Sequence, residues 1–163
     1  MTSRIFYGKL EMTIIMNATL AGGVAIGTCS DIITSPGGTM WLGLVAGILS
    51  AVGFEKIGPF MQRKVNLQDT CGVFYLHGLP GVLGGVASLV AIGQLGGSFP
   101  KDYFTAIKNG GTVDTQVMAQ LWMILVTLGA SIFTGYFGGL IARSQFMGPP
   151  DILFRDCDHI HDV

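Results

Sequence analysis

Residues 70–100 read TCGVFYLHGLPGVLGGVASLVAIGQLGGSFP and contain no Asp, Glu, Lys or Arg. A helix needs about 18 to 20 apolar residues to cross a hydrocarbon core roughly 30 Å thick, so this window is long enough to span a bilayer. Three further windows share this property, at residues 12–30, 32–54 and 115–142. Buried helices of soluble proteins are usually shorter and carry charge along one flank, so the four windows together indicate an α-helical membrane protein.

The overall composition agrees with a membrane protein and excludes several other classes. Half of the 163 residues are hydrophobic and 12% are charged, whereas about 25% are charged in an average soluble domain. A net charge of −1 offers no basic footprint for nucleic acid and no strongly polybasic surface. The three cysteines form no disulfide framework, and the tail that contains His159 and His161 has no recognisable zinc spacing. We therefore expect no metal site and no cofactor.

The windows predict an all-α fold of four transmembrane helices, at about residues 12–31, 39–60, 71–95 and 116–142. Residues 1–11 and 148–163 are predicted to form polar segments outside the membrane, on either side of a membrane domain at 12–147. Residues 34–38, Thr-Ser-Pro-Gly-Gly, are expected to form the turn between the first two helices, with Pro and Gly as helix breakers. Seven Lys and Arg residues lie on the side of both termini and two on the opposite side, which places both termini in the cytoplasm.

Glycine follows a repeated pattern in this chain. Each predicted helix contains one Gly-x-x-x-Gly pair: Gly23/Gly27, Gly43/Gly47, Gly81/Gly85 and Gly135/Gly139. A spacing of four places both glycines on one helix face, where a neighbouring backbone can approach closely. One such pair is common in any membrane helix, but a pair in every helix predicts the tight bundle of a channel or transporter.

His77 is the one histidine inside the four windows. It follows Asp69 by about two helical turns, which places it roughly 10 Å into the third helix. An ionisable group at that depth is costly, and it usually faces a cavity or the interior of the bundle. The alternative is a neutral imidazole that bridges two helices. An enzyme is disfavoured because no second titratable group shares a helix face with His77.

The neighbours of His77 favour a narrow path. Pro80 has no N–H, so the carbonyl four residues earlier loses its helical partner. Gly78 and Gly81 are expected to leave space on either side of the resulting kink. Val73 and Gly81 stand four residues before and after His77 and share its face. An apolar lining with a single imidazole is hostile to ions, and it predicts a conduit for a small, protonatable solute.

Two groups of motifs resemble late helices of the Amt/Rh family of ammonium transporters and Rh glycoproteins. The first is GKLEM at 8–12 with NATLAGGVAIG at 17–27, and the second is DTCG at 69–72 with LHGLPG at 76–81. The resemblance covers about residues 8–147, so 12–147 is interpreted as the last four helices of an Amt/Rh transporter domain. It implies a multi-pass protein of the plasma membrane, in a homotrimer or with full-length Rh subunits. Each subunit would conduct ammonium or ammonia, with methylammonium and CO2 as further candidate solutes.

The resemblance also implies roles for single residues. His77 would be the second of a pair of pore histidines, with Val73 as a pore-lining neighbour. Asp69 matches an acidic position at which a structural role is expected. Tyr75 departs from the family, because Rh members usually have Asn there; a phenol would either narrow the path or hydrogen-bond the carbonyl freed by Pro80.

The helix that would supply the first pore histidine has no counterpart in these 163 residues. Two hypotheses follow from that departure. The chain is part of an ammonium channel that is active when further helices complete it. Alternatively, it is a truncated Rh-like paralogue with a structural or regulatory role in the trimer and no transport of its own.

Overall fold

The structure, a computed structural model, describes residues 11–67, 69, 71–95 and 110–142, and all secondary structure within them is helical. The α-helices are α1 (Met12–Gly27), α2 (Pro36–Val52), α3 (Gly58–Val65), α4 (Leu79–Leu95) and α5 (Val113–Ala142). Two five-residue π-helical turns interrupt them, the first π turn at Gly53–Ile57 and the second π turn at Phe74–Gly78. The predicted all-α class is confirmed. The predictions for the N-terminal segment, for most of the 96–115 link and for the polar tail lie outside the described residues.

Among the described residues, three continuous helical stretches are long and apolar enough to cross a membrane. They are Pro36–Val65, Phe74–Gln94 and Val113–Ala142, with 30, 21 and 30 residues. Helix α1 is also apolar but has 16 residues, which gives it a length of about 24 Å at 1.5 Å per residue. The part of the chain that the structure describes therefore contains three long apolar helices and one shorter helix, where the sequence predicted four transmembrane helices.

Helix α1 stops at Gly27, earlier than the predicted residue 31, because the chain tightens there. The Thr28 hydroxyl donates a 2.9 Å hydrogen bond to the carbonyl of Ala25. The Cys29 N–H donates to the carbonyl of Ile26 at 3.0 Å, a 3₁₀-type bond that ends the regular ladder.

Helix α2 begins at Pro36, three residues before its predicted start. Ser35 is the N-cap residue, and its hydroxyl oxygen accepts a 3.3 Å hydrogen bond from the N–H of Gly38. Pro36 occupies the first turn, where its missing N–H would have had no helical partner. Of the turn predicted at 34–38, residues 34 and 35 lie between the helices, but the prediction was wrong for 36–38, because proline and glycine that follow a serine cap can open a helix.

Helices α1 and α2 pack through small residues. A Cβ atom on Gly47 would lie 3.1 Å from the carbonyl oxygen of Ala18, and one on Gly22 would lie 3.4 Å from the carbonyl oxygen of Gly43. Apolar side chains gain little by leaving lipid for protein, so close backbone contact is a main source of stability between membrane helices. The Gly43/Gly47 pair therefore has the interfacial place that its spacing predicted.

The other predicted pairs do not bring backbones together among the described residues. A Cβ would meet nothing within 4 Å at five of their six positions: Gly23, Gly27, Gly81, Gly135 and Gly139. The closest approach lies at Gly84 of α4, where a Cβ would overlap the carbonyl of Ala25 and the hydroxyl of Thr28. Gly84 belongs to no Gly-x-x-x-Gly pair, so the sequence pattern did not single it out.

The chain divides into two compact units, Met1–Ile124 and Leu125–Val163. In the first unit, α5 packs on α4 and the adjoining chain through one face, formed by Val113, Val117, Gln120 and Ile124. The Gln120 side-chain amide donates a 2.8 Å hydrogen bond to the hydroxyl of Ser88, which is itself buried. In the second unit, every described residue, 125–142, is exposed.

We expect Gly84→Ala to destabilise the protein by about 1–3 kcal/mol, because the added methyl group must displace the α1 backbone at Ala25. Thermal unfolding in detergent, followed by circular dichroism, measures the effect. Gly23→Ala is the matched control, because its Cβ meets nothing within 4 Å and alanine favours a helix over glycine. An equal change in melting temperature for both variants would contradict the close α1–α4 contact.

Candidate functional site

The second π turn leads directly into Pro80. The Leu79 N–H donates to the carbonyl of Phe74, five residues back, rather than to the residue four back. Proline lacks an N–H, and its ring would clash with the carbonyl four residues earlier in a regular helix. A locally widened turn removes that clash, and such π-bulges occur frequently at functional sites.

The first π turn repeats this arrangement. The Gly58 N–H donates to the carbonyl of Gly53, and Pro59 follows. Each proline stands two residues after the last residue of its π turn. Sequence reasoning predicted a kink at Pro80 but missed both π turns, although a proline inside a predicted helix was the available signal in each case.

Asp69 holds the N-terminal end of the segment that carries His77. One carboxylate oxygen accepts a 2.9 Å hydrogen bond from the N–H of Val73, and the other accepts a 2.8 Å bond from the N–H of Phe74. These donors have no partner within the helix, because the first turn leaves its N–H groups unpaired. Asp69 thus anchors the backbone on which His77 is carried.

Gly72 also fixes the backbone at the N-terminal end of the segment that carries His77. Its φ of +73° lies in the left-handed region that side chains disfavour. A Cβ there would also lie 2.8 Å from the ring of Phe54 and 2.9 Å from the side-chain nitrogen of Asn17. Asn17 is buried, and its side-chain nitrogen has no hydrogen-bond partner among the described residues. Glycine is therefore required at position 72 for both its conformation and its size.

Tyr75 is buried between the two π turns, with 2% of its surface exposed. A Cβ on Gly53 would lie 3.1 Å from its ring, and a Cβ on Gly58 would lie 3.1 Å from its hydroxyl oxygen. Its ring meets those of Phe54 and Phe74 edge-on, with centroids 5.9 and 5.4 Å apart. Among the described residues, Tyr75 is a packing residue and forms no hydrogen bond to the carbonyl freed by Pro80. That it narrows a path stays a prediction.

His77 points away from this packed side. Its imidazole is exposed, and so is Val73, at 54% of its surface. A Cβ on Gly81 would meet nothing within 4 Å, so this position is open too. The space expected beside Gly78 is instead covered by the ring of Phe74, which would lie 3.0 Å from a Cβ there.

The chemistry available at this surface is that of one imidazole on an apolar face. A neutral imidazole offers one N–H donor and one acceptor nitrogen. Within the described residues His77 forms no hydrogen bond or ion pair, so the alternative of a bridge between two helices is not seen there. The described part of the chain also contains no group of three His, Cys, Asp or Glu residues that could hold a metal ion.

Long apolar helices and backbone contacts through small residues define the class of the protein. It is a multi-pass α-helical membrane protein.

Comparison with known sequences gives the family. The profile of the Ammonium Transporter Family matches residues 1–147, and the chain belongs to that family. It is 42% identical over 151 residues to an ammonium transporter Rh type C of Pan troglodytes, covering 88% of this chain and 31% of the relative. It is 40% identical over 156 residues to an ammonium transporter Rh type B of Takifugu rubripes, covering 91% and 34%. The resemblance found in the sequence motifs is thereby confirmed, and the chain spans about a third of the length of these curated relatives.

Replacing Asp69 tests its role as an anchor. Asp69→Ala removes the acceptors for the N–H groups of Val73 and Phe74, so we expect a loss of about 1–2 kcal/mol in stability. Asp69→Asn keeps one acceptor oxygen and should fall between the wild type and Asp69→Ala in thermal unfolding. If Asp69→Ala unfolds at the wild-type temperature, the two hydrogen bonds do not stabilise this segment.

Replacing Tyr75 tests the contact between the π turns. Tyr75→Ala empties the space against Gly53 and Gly58 and should cost about 3–5 kcal/mol, as large-to-small changes of buried rings do. Tyr75→Phe retains the ring and should cost less than about 1.5 kcal/mol. Chemical denaturation in mild detergent compares the two variants, and equal losses would show that the hydroxyl, rather than the ring, makes the contact.

Proposed function

We propose that this chain forms part of a channel that carries ammonium or ammonia across the membrane, and that His77 lines its path. Family membership and the ammonium transporter names of the Rh type B and C relatives support the solute. The observation that carries the site is the exposure of His77 beside Val73, on a π turn whose other side is packed. The proposal is transport rather than catalysis.

The residues around His77 suggest how such a path would select its solute. An ammonium ion would have to lose its hydration shell beside Val73, and no carboxylate or carbonyl ring is seen among the described residues there to replace that shell. Neutral ammonia needs few hydrogen bonds, and an imidazole can supply one donor and one acceptor. The imidazole could also accept the proton that ammonium releases and return it. Net passage of ammonia would follow.

The wider setting is part of the same proposal. The chain would lie in the plasma membrane with both termini in the cytoplasm, in a homotrimer or together with full-length Rh subunits. Helices from the rest of such an assembly would face His77 and close the path. Methylammonium would be conducted as an ammonium analogue, and CO2 is a second neutral solute to test.

A structural or regulatory role in the trimer is the second candidate, and the exposure of residues 125–142 favours it. Large apolar side chains on this stretch, among them Ile132, Phe133 and Ile141, are 63–72% exposed. Such a surface suits lipid or the apolar surface of another subunit. Co-purification with a full-length Rh subunit, combined with no effect of His77 on uptake, would favour this role over transport.

The test of transport is methylammonium uptake by the chain coexpressed with the N-terminal part of an Rh relative. We expect His77→Ala to lower uptake by at least about tenfold. The solute would lose the imidazole as its hydrogen-bond partner, which raises the barrier to passage by about 1–3 kcal/mol. Val90→Ala is the control, since Val90 is exposed on α4 and lies three turns further along the chain. Uptake that persists after His77→Ala, with the protein at normal levels in the membrane, would refute the role of His77.

A further inference from the structure

Two buried polar side chains of the first compact unit have no hydrogen-bond partner among the described residues. Asn17 of α1 is 7% exposed and Ser50 of α2 is 1% exposed. The side-chain nitrogen of Asn17 and the hydroxyl of Ser50 are both unpaired. A buried amide or hydroxyl normally has a partner, because its removal from water is otherwise uncompensated. Each of these groups therefore indicates a binding partner outside the described chain.

Ser50 differs in this respect from four other hydroxyl residues of the described helices. Each of those hydroxyls donates to a carbonyl three or four residues earlier, at 2.7–2.9 Å: Thr19, Ser88, Ser131 and Thr134. A serine within a helix can form such a bond whenever its side chain turns back along the helix. The hydroxyl of Ser50 forms none, so it is directed away from its own backbone.

Both side chains lie where α1, α2 and the second π turn meet. A Cβ on Gly72 would lie 2.9 Å from the side-chain nitrogen of Asn17 and 2.8 Å from the ring of Phe54. Ser50 stands four residues before Phe54, about one helical turn, so the two share a face. Asn17 and Ser50 therefore face the same junction from two helices.

The two side chains also lie at nearly the same depth. Helices α1 and α2 run antiparallel and meet at Ala18 and Gly47. Counted from this contact, Asn17 lies one residue and Ser50 three residues further in the same direction. At 1.5 Å per residue their levels differ by roughly 3 Å along the helix axes. One small molecule can hydrogen-bond to both.

Burial and charge restrict what such a molecule can be. Because both groups are buried, a side chain from another subunit or from a further helix cannot reach them. Helices α1 and α2 carry no charged residue, and Asp69 already uses both of its carboxylate oxygens. An ion would thus be buried without a counter-charge, which is costly. The occupant is small and neutral, and buried water commonly bridges such groups in proteins.

We propose that Asn17 and Ser50 bind one buried water molecule at the junction of α1, α2 and the second π turn. The water accepts a hydrogen bond from the side-chain amide of Asn17 and forms a second one with the hydroxyl of Ser50. Because Asn17 lies against Gly72, this water joins both helices to the segment that leads to His77. The site is separate from the exposed imidazole and does not depend on the transported solute.

A crystal structure of the purified 163-residue chain, at a resolution that shows ordered water, tests the site directly. We expect a density peak about 2.7–3.2 Å from both the side-chain nitrogen of Asn17 and the hydroxyl oxygen of Ser50. Ordered side chains without such a peak would overturn the proposal. An Asn17 amide that donates to the face of the Phe54 ring instead would also overturn it.

Thermal unfolding in detergent tests whether the two side chains share one molecule. Asn17→Ala and Ser50→Ala should each lower the melting temperature by about 3–6 °C, because each removes one partner of the water. The double variant should fall little below the lower single variant, since the same water is lost only once. Additive losses would contradict a shared site. Ser131→Ala is the matched control, because this exposed hydroxyl binds its own helix, and its effect should add to that of Asn17→Ala.

Ammonia is also small, neutral and able to accept a hydrogen bond, and its concentration can be varied. Melting temperatures in ammonium chloride and in sodium chloride are compared at alkaline pH, where part of the ammonium is deprotonated. We expect no difference that depends on Asn17. Stabilisation by ammonium chloride that Asn17→Ala abolishes would assign the site to ammonia and overturn the assignment to water.

Discussion

The ring of Tyr75 occupies the space between two π turns, and the arrangement of the helices around His77 depends on this contact. Gly53 begins the first π turn and Gly58 directly follows it, and a Cβ on either residue would lie 3.1 Å from Tyr75. Tyr75 itself lies in the second π turn, two residues before His77. Because the ring is held on the packed side, the imidazole is directed to the open side.

Close backbone contact has the same importance elsewhere in the first compact unit. Gly84 approaches α1 at Ala25, and Gly47 approaches it at Ala18, so α1 is held by two neighbours through small residues. Lipid acyl chains are as apolar as the side chains of a membrane helix. Burial of those side chains alone therefore adds little to helix association within a bilayer. The hydrogen bond from Gln120 to Ser88 supplies a directional contact between α5 and α4 where van der Waals packing alone would set no register.

Some residues of the candidate site fix the backbone of the second π turn, and others are exposed. Asp69 and Gly72 define how the chain enters the second π turn, through two carboxylate hydrogen bonds and a left-handed φ. His77 and Val73 remain exposed. A path through a membrane needs walls on all sides, so this open surface is consistent with a chain that spans about a third of its curated relatives. The further walls belong to the proposed assembly.

The sequence by itself determined the class of the protein and its family. Uninterrupted apolar windows of this length indicate helices, which satisfy every backbone group within the segment, and the motifs around His77 pointed to the family before any geometry was known. It could not determine the π turns or which glycines pack. Gly23/Gly27 and Gly43/Gly47 have identical spacing, yet only the second pair meets a neighbouring backbone. The packing of Tyr75 against Gly53 and Gly58 was likewise not among the roles expected for it. In each case the outcome depended on what lies across the interface, and only the tertiary structure supplies that partner.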